Sequence, residues 1–264
     1  MYQAKNLVLT FNGIKMDYIT FGRGTKPLVL ISGLSTQRIK GTAFQISYAY
    51  RMFGKNYKVY MFDRKDTIKS GYSISDMATE LAQAMIHLNL EKADVIGISQ
   101  GGMIALSLAA NYPKLVNKLV LGVTLYKVND KAKETIGHWI KLAQNNERQQ
   151  MILDMMDNVY SERYVKRNHW LIHLMSKLMK PKELGRFIIL AESILKFDAS
   201  EQLKEIICPA FVIGGAKDKV VGNQSSAELA KALDCESYIY SDLGHSAYIE
   251  AKDFNQRILQ FLLS

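Results

Sequence analysis

Apolar and polar side chains take turns along residues 7–11 and 14–21, and Asn12-Gly13 separates the two runs. A period of two is that of a half-buried strand, and Asn-Gly between two such runs supplies the positive φ that a tight hairpin needs, so this start predicts an antiparallel pair. The pattern then changes. Residues 27–31, 58–62, 93–98, 118–123 and 210–214 are short, predominantly apolar runs, as expected of strands buried on both faces, and residues 236–240 form a further strand-like run. Helical spacing fills the stretches 44–53, 75–88, 100–111, 225–233 and 254–263. Ser75 is placed to cap the second of these helices and Asp76 to complement its dipole. Strand and helix in alternation predict an α/β fold: a mostly parallel central sheet with antiparallel N-terminal strands and helices on both faces.

Residues 125–199 break the alternation, because they carry helical periodicities with no convincing strand and are rich in methionine and aromatics. We read them as a helical cap inserted into a core made of residues 1–124 and 200–264. Met151, Met155, Met156, Met175, Met179, Trp139, Tyr160, Tyr164, Trp170 and Phe187 are expected mainly to pack within that insertion. A few should face the core, where flexible methionines would suit an apolar group of loosely defined shape.

Composition adds limits. The chain has 264 residues, 48% hydrophobic and 22% charged, enough apolar material for a sizeable core. No run is long and apolar enough to span a membrane, and the first eleven residues alternate as a strand does and lack the features of a cleavable signal, so the expected location is the cytoplasm. Cys208 and Cys235 suggest neither a disulfide framework nor a metal cluster. The formal charge of +9 is scattered; its densest stretches, 127–133, 163–167 and 177–186, are interleaved with apolar residues at helical spacing and read as solvated helix faces. With no zinc-finger spacing, phosphate loop or low-complexity tail, nucleic acid is not an expected partner. Oligomeric state is not encoded legibly.

Candidate chemistry sits in Gly97-Ile98-Ser99-Gln100-Gly101-Gly102, between the run 93–98 and the helical stretch that follows. A serine at a sharp strand-to-helix turn projects its hydroxyl above the sheet edge, and glycines two before and two after relieve the crowding. Ser99 is therefore the candidate nucleophile. Further motifs accompany it: Ser32-Gly33-Leu34-Ser35 after an early strand, Gly215-Ala216-Lys217-Asp218 after the strand at 210–214, and Gly244-His245 after the strand ending at Tyr240.

With these motifs the chain resembles the α/β-hydrolase superfamily, and within it the small capped esterases and enol-lactonases, over nearly its whole length. The resemblance implies a triad in the chain order serine, acid, histidine, here Ser99, Asp218 and His245. His245 would take the serine proton, Asp218 would hold the imidazole in the accepting tautomer, and the backbone N–H groups of Leu34 and Gln100 would hold the oxyanion. Other candidates carry blander readings. His87 lies within a helix, and His138, His169 and His173 lie in the insertion. Asp63 closes a turn, Asp94 begins a strand, Asp242 stabilises its own loop and Glu250 is structural. Two departures stand out: Ser32 takes a place where many members have histidine, and residues 63–70 lack the glycines usual there, so the likeness does not extend to the pocket entrance.

The expected activity is that of a serine hydrolase that needs no metal or other cofactor and cleaves a small-molecule carboxylic ester, lactone or related acyl compound through an acyl-enzyme. A thioesterase, an acyltransferase or a non-catalytic binding protein on the same scaffold are the alternatives. A serine at the elbow excludes the dehalogenase and epoxide-hydrolase chemistries that require aspartate there.

Overall fold

The computed structural model describes residues 3–179 and 181–264. Strands β1 (Lys5–Phe11) and β2 (Ile14–Phe21) pair antiparallel with Phe11 opposite Ile14. Asn12 and Gly13 both take positive φ, 46° and 75°, which matches the turn to the strand twist. Six more strands follow: β3 (Lys26–Ile31), β4 (Tyr57–Phe62), β5 (Ala93–Ile98), β6 (Val116–Gly122), β7 (Ala210–Gly215) and β8 (Glu236–Tyr240). The sheet order is β1-β2-β4-β3-β5-β6-β7-β8, with β2 antiparallel to β4 and all later pairings parallel.

Successive side chains on a strand face opposite ways, and the parallel strands use both faces. Val29, Ile31 and Val95 point into one core with residues of α2 (Ile74–His87), α3 (Gln100–Asn111) and α8 (Ser225–Ala232). Leu28, Leu30 and Ile96 point into the other, with Ala43 of α1 (Ala43–Ala49) and Phe254, Ile258 and Leu262 of α10 (Phe254–Leu263). Helices thus cover both faces. Asp94, the one carboxylate in β5, is buried but satisfied by Tyr57 Oη at 2.8 Å and Asn117 Nδ2 at 2.7 Å.

Besides shifts of one or two residues elsewhere, three local boundaries differ from the sequence reading. Ser73, not Ser75, caps α2: its Oγ accepts from Asp76 N at 3.1 Å while the Asp76 carboxylate accepts from Ser73 N at 2.9 Å. The reciprocal pair needs a spacing of three, which Ser75 and Asp76 do not have. Helix α1 stops at Ala49 instead of running to Phe53, since the chain must turn through Phe53–Lys55 to enter β4, a turn fixed by Arg23 N donating to Gly54 O at 2.8 Å. Strand β6 begins two residues earlier than expected and ends at Gly122, as Val123 takes φ 44°.

Between β6 and β7 the chain forms α4 (Asp130–Gln144), α5 (Arg148–Val159), α6 (Glu162–Leu178) and α7 (Leu184–Leu195), with α4 packed on α7 and α5 on α6. The two ends of this block are tied together. Val128 N donates to Phe197 O, Ala199 N to Tyr126 O, and Lys127 Nζ lies 2.8 Å from Asp198 Oδ2. Trp139, Met151 and Phe187 are buried, whereas Trp170, expected to pack, is 69% exposed on α6. No helix among the described residues is long and apolar enough to cross a membrane.

Candidate active site

Strand β5 ends at Ile98 and α3 starts at Gln100, so Ser99 alone makes the turn, at φ 54° and ψ −122°. A side chain other than glycine is strained there, and it is held by its surroundings: Ser99 N donates to Gly122 O, and Thr124 Oγ1 donates to Ser99 O, both at 2.8 Å. The flanking glycines answer close approaches. A Cβ on Gly97 would run into the backbone of Gly101, and one on Gly101 into the carbonyls of Ile31 and Ser32. We expect Gly101→Ala to lower the unfolding free energy by about 2 kcal/mol or more, read from the urea midpoint, because the obstacles are backbone and cannot rotate away.

The loops after β7 and β8 bring the acid and the base together. Gly215 and Gly244 let them approach, for a Cβ on Gly215 would meet the Leu243 and Gly244 carbonyls and one on Gly244 would lie 2.8 Å from Lys217 O. Asp218, 4% exposed, uses Oδ1 to accept from Val220 N at 2.8 Å and Val221 N at 3.0 Å. Its Oδ2 lies 2.8 Å from Nδ1 of His245, itself 5% exposed, and His245 Nε2 lies 2.9 Å from Ser99 Oγ. A carboxylate can only accept, so Nδ1 carries the proton and Nε2 presents a lone pair to the serine hydroxyl.

Leu34 is beside this pair, as a Cβ on neighbouring Gly33 would lie 3.1 Å from Ser99 Cβ. Above Ser99 and His245 is a cavity of about 60 Å³, lined from the core by Leu34 and Met103 and from the insertion by Ile136, Trp139, Met155 and Val159.

Sequence reasoning missed one residue that the structure places here. Arg64, only 7% exposed, donates from Nη1 to Ser32 Oγ at 3.0 Å and from Nη2 to Ser32 O at 2.6 Å and Gln100 Oε1 at 2.9 Å. Gln100 Nε2 in turn donates to Leu190 O at 2.6 Å on α7. Burial pulls the Arg64 pKa below its usual value, while the Asp63 charge opposes the shift and the Nη hydrogen bonds satisfy two of the three guanidinium nitrogens, Nε being buried without a partner. The missing glycines of residues 63–70 are thereby explained: the segment delivers an arginine side chain instead of a tight turn. A buried arginine leaves no periodic mark in sequence, so nothing signalled it except that absence.

The other candidates lie elsewhere. Asp63 accepts from Arg64 N and Ile39 N, Asp94 sits in the core, and Asp242 is exposed. Glu250 has a structural role of wider reach than expected, since its carboxylate accepts from Ser161 N and Oγ at 2.9 and 2.5 Å and from Ser246 Oγ at 2.5 Å, joining the start of α6 to the residue after His245. His87 stacks on Phe11, His138 faces Asp154, and His169 stacks on His173. Among the described residues, no three His, Cys, Asp or Glu side chains cluster as metal ligands would. Burial pushes the Cys235 thiol up to about 11, so it is protonated at neutral pH.

An eight-stranded sheet crossed over in this order, with a serine elbow after β5, defines the α/β hydrolase fold. Residues 14–252 match that family's model, and the chain belongs to it. It is 30% identical over 265 aligned positions, covering 94% of this chain and 91% of the other, to a 2-hydroxy-6-oxononadienedioate/2-hydroxy-6-oxononatrienedioate hydrolase of Paraburkholderia phymatum. It is 23% identical, over 90% of this chain and 92% of the other, to a protein of Rhizobium rhizogenes provisionally named carbamate hydrolase RutD. Its fold superposes on the enol-lactonase of Burkholderia xenovorans LB400 with a TM-score of 0.84 at 19% identity, covering 98% of this chain and all of that one. The protein is thus a hydrolase of the α/β fold.

Proposed function

We propose that the protein is a serine hydrolase of carboxylic esters, lactones or related acyl compounds, acting through an acyl-enzyme. The observation that carries this reading is the unbroken relay from Asp218 Oδ2 through His245 to Ser99 Oγ, with both links under 3 Å, at the floor of an apolar cavity. Ser99 Oγ attacks the acyl carbon as its proton passes to His245 Nε2, and the carbonyl electron pair moves onto oxygen. That oxyanion is held by the N–H groups of Gln100, at the first turn of α3, and Leu34. Its collapse breaks the bond to the leaving alkoxide, which takes the proton from His245. A water then repeats the sequence, giving its proton to His245 and its oxygen to the acyl carbon, and Ser99 leaves reprotonated. The inserted helices act as a cap over the site, and a cavity of this size, lined by Met103 and Met155, favours a short apolar acyl group.

A fluorophosphonate probe tests the mechanism. We expect one stoichiometric adduct, mapped by peptide mass to Ser99, together with hydrolysis of p-nitrophenyl esters fastest for acetyl to butyryl chains. Hydrolysis that persists while Ser99 stays unlabelled would refute it.

Arg64 serves as a positioning residue, because one guanidinium fixes the loop that carries Leu34 and the side chain of Gln100. Replacing it with methionine keeps the bulk and frees both. We expect Arg64→Met to lower kcat about 10- to 100-fold with a smaller change in KM, a split that steady-state kinetics on the preferred ester resolves.

A further inference from the structure

Helix α6 turns an uncovered amphipathic face outward from the insertion. Trp170, Leu171, Leu174, Met175 and Leu178 are all exposed, Trp170 to 69% and Leu178 to 65%. At 100° per residue, positions 163, 167, 170, 171, 174 and 178 fall within about 100° of one another, so they form one stripe about 22 Å long. Ile172 and Ser176, on the opposite side, are the residues this helix buries. Four large exposed apolar side chains in one stripe, with Met175 about 40° to its side, differ from the scattered exposed hydrophobics of an ordinary surface.

The charges within and beside the stripe are of one sign. Arg163, Lys166, Arg167 and Lys177 are exposed on the same helix, whose only carboxylate, Glu162, lies 3.5 Å from Lys219 Nζ. Long-stemmed cations on the same exposed face as large apolar side chains, with an indole among them, match an interface that is negative outside and hydrocarbon beneath. The chain's excess of nine positive charges acts in the same direction.

We propose that α6 docks the protein onto a bilayer surface containing anionic lipids, lying in the headgroup plane with Trp170, Leu174 and Leu178 inserted and the four cations on phosphate oxygens. The docked helix is capped by Ser161, whose amide and hydroxyl are held by Glu250, which also holds Ser246 next to His245. The membrane face and the candidate site are therefore joined by one carboxylate.

The test uses the intact chain with vesicles of phosphatidylcholine alone and of phosphatidylcholine with 30% phosphatidylglycerol. We expect co-sedimentation with the anionic vesicles only, lost when salt is raised to about 0.5 M, where surface charges are screened. Of the two tryptophans, Trp139 is buried, so a blue shift in emission and quenching by brominated lipid would report Trp170. Arg163→Glu with Arg167→Glu should weaken vesicle binding at least about tenfold. Leu174→Ser with Leu178→Ser, which keeps Trp170 as reporter, should abolish co-sedimentation and the blue shift while leaving hydrolysis of a soluble p-nitrophenyl ester intact. Equal partition to neutral and anionic vesicles, or none to either, overturns the proposal. So does a dimer in sedimentation velocity that the serine variant converts to monomer, because the stripe would then be a contact between copies. The salt series on the unaltered chain decides the matter even if a variant fails to fold, and neither co-sedimentation nor tryptophan emission depends on the proposed chemistry at Ser99.

Discussion

Ser99→Ala is expected to abolish ester hydrolysis, with kcat falling on the order of 10⁵- to 10⁶-fold, while the fold and its melting temperature are kept. The oxygen is the only atom removed. The proposed backbone donors at Leu34 and Gln100 would stay in place, so a residual rate above that of water is expected and should not be mistaken for a surviving nucleophile. Because Ser99 sits at φ 54°, where any Cβ is strained, alanine does not relieve the turn, but glycine does. Ser99→Gly should therefore be equally inactive yet stabler than wild type by about 1 kcal/mol, as chemical denaturation would read it. Loss of activity accompanied by a gain in stability would show that the strain is maintained for the hydroxyl's sake. A Ser99→Ala enzyme retaining more than a hundredth of the wild-type rate would refute the mechanism.

Asp218→Asn is expected to lower kcat about 10⁴-fold without unfolding the protein. The hydrogen bonds dictate how the amide must lie. Val220 N and Val221 N both require an acceptor, so the asparagine oxygen takes the place of Oδ1 and its NH₂ group is turned toward His245 Nδ1. An imidazole facing a donor on Nδ1 carries its proton on Nε2, where it points at Ser99 Oγ and cannot accept. Geometry survives and the tautomer is wrong. Measured acylation by the fluorophosphonate should slow in parallel with turnover; a variant that turns over at wild-type speed would mean that Asp218 only braces the loop.

Ser99, Asp218 and His245 were legible in the sequence because elbow, acid loop and Gly-His pair each combine a fixed residue type with a place in the strand and helix pattern. The parallel strands were legible for a related reason, since burial on both faces leaves continuous apolar runs such as Leu28–Ile31. What escaped were features decided by contacts far apart in the chain. Arg64 is polar, lies in a loop and is buried only because Ser32 and Gln100 close around it. Trp170 was grouped with packing residues because periodicity shows that a helix has an apolar stripe without showing whether anything covers it, and α6 carries its stripe outward. The start of α2 was misplaced by two residues, although the Ser73–Asp76 spacing contained the answer: two serines competed for the cap, and only one stands three residues before the acid.

The sheet grows outward from β5 toward its β8 edge in chain order, and this gives the proposed catalytic groups a timetable during synthesis. The proposed nucleophile, acid and base follow β5, β7 and β8, and β6 with the helices α4 to α7 is translated between the first and the second. A nascent chain that has completed β5 and α3 holds its serine with no base to activate it. One that has completed β7 has gained the acid, still without a histidine to orient. On the proposed mechanism the serine gains its base only once β8 has paired beside β7 and the loop bearing His245 has followed it, so a nascent chain that stops short of that segment is inert.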